Sequence, residues 1–544
     1  MDVTSRREAV VVVLAAAALT AVMLYPVSIH PGRFARIDSS DGQFSLWNVA
    51  WVARTLVADP LHLFDANIFH PHRSTLLYSE ANLVAGALAA PAYWLTRSPY
   101  AAHNSAVLLA FFLSTIGTYW LVTYLSGSRW GGAVAAICFA FCPFLFAHST
   151  HIQLQMTPGI PFSMLAFHRL ADRPGRGRAV ALGLALAVTA FSCAYYGVFM
   201  MLVVGFAVLV TATIRRQWFN ARYWSAVGVA AVVAVALVLP LFVPYALLQR
   251  AGGFDRPLAE SRQYAADWRS YLASGLSAHT WMLPYVRPWK DVAFPGFVAV
   301  TLGVGRLATA WRLRGRPAEI VALYGSVGAL ALWASFGPQA GLYSALYYTM
   351  PGFTLMRAPV RLAVIVVFAL AVLAGCAVAA LVSRMRRPGW VGALLVTLAI
   401  ADHLVSLRFP TPAPPSPAYL ALAQLPIAPV IEMPFFDRMS RFYPRHTIYM
   451  LMSTTHWMPL VNGYSDYSPP DFADNAVALA PFPYPGAFAV ARRLGVRYVM
   501  FHLNVYDAKT RAEVEDRLKQ FAVYLRPLYT DADTRLYEIA GFPR

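Results

Sequence analysis

Asp38-Ser39-Ser40-Asp41-Gly42-Gln43-Phe44-Ser45-Leu46-Trp47 and, further along, Phe69-His70-Pro71-His72-Arg73-Ser74-Thr75-Leu76-Leu77-Tyr78-Ser79-Glu80 lie between the first apolar run, Glu8 to Ile29, and the next unambiguous one, which begins at Ala102. The whole chain carries only 26 Asp and Glu in 544 residues, and Asp38, Asp41, Asp59, Asp65 and Glu80 all fall in this one connection. A long acidic loop after a first span, followed by a train of further apolar runs, sets the architecture.

The chain is 58% hydrophobic and 13% charged, with a mean hydropathy of +0.51, too apolar for a soluble globule and rich in runs long enough to cross a bilayer. The formal charge of +18 does not mark a nucleic-acid binder, because the arginines cluster in short connections between apolar runs, as cytoplasmic loops do. Arg6 and Arg7 place the N-terminus inside, which puts the acidic loop, residues 30–101, outside. Cys138, Cys142, Cys193 and Cys376 all lie in apolar runs, so they read as packing residues and not as a disulfide framework.

Further spans are expected from about Ala102 to Ser126, Trp130 to Ala147, Gln153 to Leu170, Ala179 to Tyr195, Val198 to Ile214 and Tyr223 to Leu248. Others follow from about Pro295 to Trp311, Ala318 to Phe336, Val360 to Ser383 and Trp390 to Leu407. With the first run this gives about eleven membrane helices. Arg129, Arg173 to Arg178, Arg215 to Arg222, Arg312 to Arg316 and Arg384 to Arg387 then all fall on the cytoplasmic side. Residues 83–95 read as a helix that either dips into the membrane or lies in its interface. Pro410-Thr411-Pro412-Ala413-Pro414-Pro415-Ser416-Pro417 is a stiff linker, which divides a membrane domain, 1–408, from an α/β domain, 409–544. Strands are expected at Val430 to Met433, Tyr498 to His502 and Arg535 to Ile539, and a helix from Ala512 to Tyr524. No Walker loop, dinucleotide fingerprint or internal repeat is present, so nucleotide-driven chemistry has no support.

Three groups of residues could carry chemistry. Asp41, with Asp38 before it and Glu80 after it, supplies carboxylates in the outer loop; the competing role for Asp38 or Asp41 is to cap the following helix. Arg357 and Arg361, in Pro351-Gly352-Phe353-Thr354-Leu355-Met356-Arg357-Ala358-Pro359-Val360-Arg361, are four apart, which on a helix puts both guanidinium groups on one face. His148 and His151, in His148-Ser149-Thr150-His151-Ile152-Gln153, sit at another outer helix end, where a phosphate contact or polar cap outweighs a metal because no third ligand is near. Asp402-His403, near the outer end of the last span, reads as a structural polar pair. His446, Tyr449, His456, Asn462, Gly463, Tyr464 and Asp466 mix aromatic and polar groups as saccharide sites do, against an ordinary turn-and-core role.

Asp41-Gly42 with Trp47 and Ala50-Trp51, the run Asp59 to Phe69, Leu76 to Glu80, His148 to Gln153, Gly352 to Arg361, Asn462-Gly463-Tyr464-Ser465 and Leu494 to Tyr498 together resemble bacterial membrane glycosyltransferases of the GT-C superfamily. The resemblance implies a polytopic helical protein with an extracytoplasmic α/β domain in the bacterial inner membrane. It implies transfer of a sugar from a polyprenyl-phosphate donor to a hydroxyl of a glycan, lipid or protein acceptor. It also implies a catalytic acid in the first outer loop, which Asp41 matches; Glu80 stands where many relatives have Asp, so a carboxylate is kept with a longer reach.

That chemistry asks for one base and for cations to receive the phosphate, since a phosphate leaves as a stable anion and needs no second carboxylic acid. Asp41 is therefore expected as the base, Glu80 as the orienting acid, and Arg357, Arg361, His148, His151 and Asp38 as the substrate and phosphate residues. The sequence makes no cofactor certain; a divalent cation is the one candidate, and the metal requirement stays open. The rival readings are a carrier for a lipid-linked glycan, which calls for ionisable groups at the bilayer midplane, and a noncatalytic partner in envelope assembly.

Overall fold

The computed structural model describes residues 6–252, 256–350 and 352–543; Pro351 of the arginine motif lies outside them. Six of the described helices are long and apolar enough to cross a membrane: Pro99–Ser126, Arg129–Ala147, Ala194–Ile214, Ala221–Leu248, Arg316–Ser335 and Pro359–Val382. The expectation of about eleven is thus met by length and composition in six cases only. Arg6–Met23 has 18 residues but includes Arg6, Arg7 and Glu8, while Gly159–Asp172, Arg176–Ser192, Phe297–Ala308 and Pro388–His403 have 14, 17, 12 and 16 residues. The run expected from Gln153 is interrupted at Met156-Thr157-Pro158, where proline disfavours helix in the residue before it and the Thr157 hydroxyl pairs with Ser114 at 2.8 Å.

The chain falls into two compact units, one made of Met1–His30 and Ala106–Arg408, the other of Pro31–Ser105 and Phe409–Arg544. The acidic loop, grouped with the membrane helices on sequence, therefore packs with the C-terminal segment.

In the first unit, Ala363–Val382 is buried along nearly its whole length among Arg129–Ala140, Phe297–Ala308 and Arg316–Ser335. Two glycines allow one of these contacts: a Cβ on Gly131 would stand 2.4 Å from the Gly375 carbonyl oxygen, and one on Gly375 2.6 Å from that of Gly131. Several connecting arginines also close a tight ion network. Arg215 reaches Asp172 at 2.9 Å and Glu319 at 2.8 Å, and Arg316 reaches Asp172 at 2.7 Å.

In the second unit, β1 (Val430–Met433), β2 (Tyr498–His502), β3 (Leu525–Thr530) and β4 (Thr534–Ile539) form one sheet in the order β1-β2-β4-β3, with β1 parallel to β2 and the other pairs antiparallel. The acidic loop joins this fold through its backbone. Phe69 N–H donates to the Asn462 carbonyl, His70 N–H to Leu460, and Leu460 N–H to Asn67, at 2.8 to 3.1 Å. The Asn67 side chain accepts from the Trp47 indole at 3.0 Å and donates to Ser453 and Met458, so one amide ties the loop helix to the C-terminal segment. The linker is held at its start as well, where Ala35 N–H donates to the Pro410 carbonyl at 3.1 Å.

Leu83–Thr96, whose placement the sequence left open, is a 14-residue helix and about 21 Å long, short of a bilayer core of roughly 30 Å. It packs on Ser40–Ala58: a Cβ on Gly86 would stand 2.2 Å from the Val52 side chain, and the Trp94 indole donates to the Ala53 carbonyl at 3.1 Å.

Burial pushes the pKa of both His446 and His456 down to about 3. His456 Nδ1 accepts from Met458 N–H at 3.0 Å, so the neutral ring is the one this site holds and protonation would aim one N–H at another. Because the folded-state values lie below the unfolded value of about 6.5, their stabilising contribution is full above that pH and is lost as pH falls toward 3. We expect the second unit to lose on the order of 1 kcal/mol per histidine per pH unit below about 6. Thermal melts of the full chain followed by tryptophan fluorescence at pH 7.5, 6 and 5 check this, and a pH-independent melting point would contradict it.

Candidate functional site

The carboxylates belong to the second unit. Ser39 caps the Ser40–Ala58 helix, its hydroxyl accepting from Gly42 N–H at 3.1 Å, so capping is not the role of Asp38 or Asp41. Asp41 sits in the first turn, partly exposed, where the helix dipole favours a negative charge. Asp38 precedes the cap and pairs with Arg36 at 3.2 Å.

Phe44 and Asn48 follow Asp41 at positions three and seven on, so all three share a helix face. The Asn48 amide donates to the Glu80 carbonyl at 3.2 Å, and Asn82 donates both to that carbonyl at 3.2 Å and to the Asn48 side chain at 3.1 Å. The backbone of Glu80 is thereby fixed beside the face that carries Asp41, at a level about 10 Å along the axis from it. The Glu80 backbone and Asp41 thus lie on one side of one helix.

A loop from the C-terminal segment lies over the same region. The Tyr464 ring meets Phe44 edge-on at 6.2 Å, Tyr467 N–H donates to the Tyr78 carbonyl at 3.1 Å, and the Ser79 hydroxyl donates to Asp466 at 3.3 Å. Burial, with smaller contributions from Tyr467 and Asp471, pushes the Tyr78 phenol up to about 12, so it stays a neutral donor. Asn462 has a structural role, exchanging two hydrogen bonds with the backbone of Glu432 at 2.8 and 2.9 Å. His70 and His72 are used in packing, through the Leu494 carbonyl and Asp471.

The cations belong to the first unit. Arg357 and Arg361 do not share a regular helix face: Pro359–Leu362 is a 3-10 turn and the long helix starts at Ala363, because Pro359 keeps Ala358 out of the helical region. Tyr195 gathers them instead. The Arg361 guanidinium lies 4.2 Å from the centre of its ring, and its hydroxyl accepts from Arg357 N–H at 3.1 Å. The Arg357 guanidinium also lies over Tyr264 at 5.4 Å and meets Glu260 at 3.5 Å; Glu260 meets Arg256 at 3.3 Å.

His148 closes the group. One of its ring nitrogens donates to the Phe144 carbonyl at 2.8 Å, the other meets Asp291 at 3.5 Å, and its ring centre is 6.5 Å from that of His151. Burial alone would raise the Asp291 pKa, but the His148 hydrogen bond and charge, Val292 N–H and the Arg361 charge together hold it below the usual carboxylate value. Arg361 and His148, named separately from sequence, thus act on one acid. Among the described residues no group of three or more His, Cys, Asp or Glu is arranged to hold a metal ion.

Arg256, Glu260, Asp291 and Tyr195 escaped the sequence reading. Each is an isolated polar residue far in sequence from the motif it serves; the one available signal was the run of charged and aromatic residues between Arg256 and Asp291. Asp402, in contrast, is fully engaged in structure: it accepts from His279 at 2.7 Å and from Val298 N–H at 2.9 Å, and His279 in turn meets the Ser274 hydroxyl at 2.8 Å. These bonds fasten the Arg256–Phe294 connection to the end of Pro388–His403.

No protein-family model and no curated protein sequence matches the chain. Solved structures do. ArnT from Cupriavidus metallidurans in the apo state is similar at 15% identity, over 98% of this chain and 99% of that chain, with a TM-score of 0.50. ArnT from the same organism bound to undecaprenyl phosphate is similar at 14% identity, over 99% and 100% of the two chains, with a TM-score of 0.44. The archaeal oligosaccharyltransferase AglB from Archaeoglobus fulgidus, in complex with an inhibitory peptide and a dolichol-phosphate, is similar at 14% identity, over 97% of this chain and 74% of that chain, with a TM-score of 0.45. At these identities the likeness is one of fold alone, the chain sharing its fold with ArnT.

Proposed function

We propose that the chain is a glycosyltransferase of the bacterial inner membrane, with its N-terminus cytoplasmic and its second unit outside. It moves a sugar from a polyprenyl-phosphate donor to a hydroxyl of a glycan, lipid or protein acceptor. The observation that carries this reading is the gathering of Arg357 and Arg361 on Tyr195, with His148 joined to Arg361 through Asp291. Guanidinium groups suit bidentate binding of a phosphate, and Tyr195 carries the Arg361 guanidinium on its ring and the Arg357 backbone on its hydroxyl.

In the reaction the acceptor hydroxyl gives its proton to Asp41 as its oxygen bonds to the anomeric carbon. The bond from that carbon to the phosphate oxygen breaks, and its electron pair leaves on a polyprenyl monophosphate received by Arg357 and Arg361, with His148 and His151 beside them. Glu80, fixed through its backbone, orients a sugar hydroxyl.

The purified chain in lipid nanodiscs is expected to release polyprenyl monophosphate from a matched polyprenyl-phosphate sugar and to form a glycosylated product, both read by mass spectrometry. Nucleotide sugars are expected to give neither. Transfer from a nucleotide sugar, or none from any member of a panel of polyprenyl-phosphate pentoses and hexoses in the presence of membrane extract as acceptor, would overturn the reading.

A further inference from the structure

Two groups of ion pairs among the described residues of the first unit differ in their spacing. Arg215, Asp172, Glu319 and Arg316 are locked at 2.7 to 2.9 Å, the range of full charge-assisted hydrogen bonds. Glu260, in the short turn Glu260–Arg262, stands off its arginines, one carboxylate oxygen lying 3.3 Å from Arg256 and 3.5 Å from Arg357. Its side chain is 27% exposed, and those of Arg256 and Arg357 are 12% and 31% exposed. The Arg357 guanidinium lies over the Tyr264 ring, and the Arg357 backbone N–H donates to Tyr195.

Glu260 therefore offsets the charge of two arginines, accepting a hydrogen bond from Arg256 at 3.3 Å and meeting Arg357 at 3.5 Å. A carboxylate so placed faces Arg357 Nη1, so an anionic ligand of that nitrogen has to compete with it. A phosphate, with more anionic oxygens and a geometry matched to the guanidinium fork, makes the stronger contact.

We propose that Glu260 is a competing counter-ion, a specificity-determining residue that holds Arg256 and Arg357 in the empty state and is displaced by the phosphate of the donor and of the polyprenyl monophosphate product. This rests on the reading of Arg357 as a phosphate residue, and it brings Arg256 into the same role. Competition lowers affinity for both lipid phosphates and thereby speeds departure of the product, whose phosphate carries the extra charge.

The test uses the full-length chain in nanodiscs with polyprenyl monophosphate as probe. Glu260→Gln is expected to tighten binding about five- to twentyfold and to lower KM and kcat together, since release slows. Arg256→Ala, which leaves Glu260 to Arg357 alone, is expected to weaken binding by about fivefold or more. A merely structural role for Glu260 would move melting temperature without this paired fall in KM and kcat. If the wild-type chain binds the probe and Arg357→Ala weakens it, while Glu260→Gln leaves affinity unchanged or lower, the counter-ion role is wrong and the phosphate reading stands. If Arg357→Ala has no effect on binding, the phosphate reading itself fails. Should Glu260→Gln not fold, an unchanged or tighter affinity in Arg256→Ala overturns the proposal by itself.

Discussion

Asp41→Asn lowers kcat for sugar transfer by about a thousandfold, within the 10²- to 10⁴-fold range of general-base catalysis, while donor affinity stays within about twofold. The substitution is close to isosteric, and it leaves the helix start intact because Ser39, not Asp41, supplies the cap to Gly42. Removing one charge from the first turn costs only about 0.3–1 kcal/mol of helix stabilisation, so a folded, donor-binding and inactive protein is the expected product. Glu80→Gln is expected to be milder, about tenfold, since the Glu80 carbonyl stays pinned by Asn48 and Asn82. Steady-state transfer kinetics with melting curves on the same samples check both. Wild-type kcat in Asp41→Asn would remove Asp41 from the chemistry.

Arg357→Ala and Arg361→Ala each lower kcat/KM by about 10- to 100-fold, the loss expected for a charge-assisted hydrogen bond worth about 1.5–3 kcal/mol. The double variant should lose less than the product of the single losses, because on the proposed reading both side chains serve one phosphate and Tyr195 touches both residues. Arg361→Lys should not rescue. A lysine keeps the charge but gives up the planar stack on Tyr195 and the bidentate fork. Tyr195→Phe separates the two arginines: the ring under Arg361 remains, while the hydroxyl that accepts from Arg357 N–H is lost, so donor KM rises less than in either arginine variant. Losses confined to kcat, with KM unchanged, would argue against a role in binding the donor.

The apolar runs, the proline linker and three of the four strands are legible in the sequence because each depends on local composition or alternation. The missing strand, β3, contains Pro527 beside a register irregularity and is largely exposed, so neither its alternation nor its residues mark it. The Ala508–Gln520 helix starts before the expected Ala512 because Asp507 caps it, accepting from Thr510 N–H at 3.0 Å. The allegiance of the acidic loop was not legible, since it rests on backbone bonds between residues 67–70 and 460–462 and on one asparagine, Asn67, contacts with no periodicity to read.

The site was legible in part for the same reason. Asp41, Glu80 and the arginine pair stand in recognisable runs. The physical basis of the arginine pair is nevertheless different from the one their spacing suggests: proline breaks the helix that would align them, and Tyr195, far away in sequence, stacks on the Arg361 guanidinium and accepts from the Arg357 backbone instead. Glu260 and Asp291, which set the charge around them, could be found only once the Arg256–Phe294 connection was seen against those side chains.

The most direct measurement of the central claim is a cryo-EM reconstruction of the chain in nanodiscs with polyprenyl monophosphate. Phosphate density within about 3 Å of the Arg357 or Arg361 guanidinium, with the Glu260 carboxylate moved away from Arg357, is the predicted result. A well-ordered lipid phosphate bound elsewhere, with Arg357 and Arg361 still on Glu260 and Tyr195 as in the ligand-free chain, would contradict it.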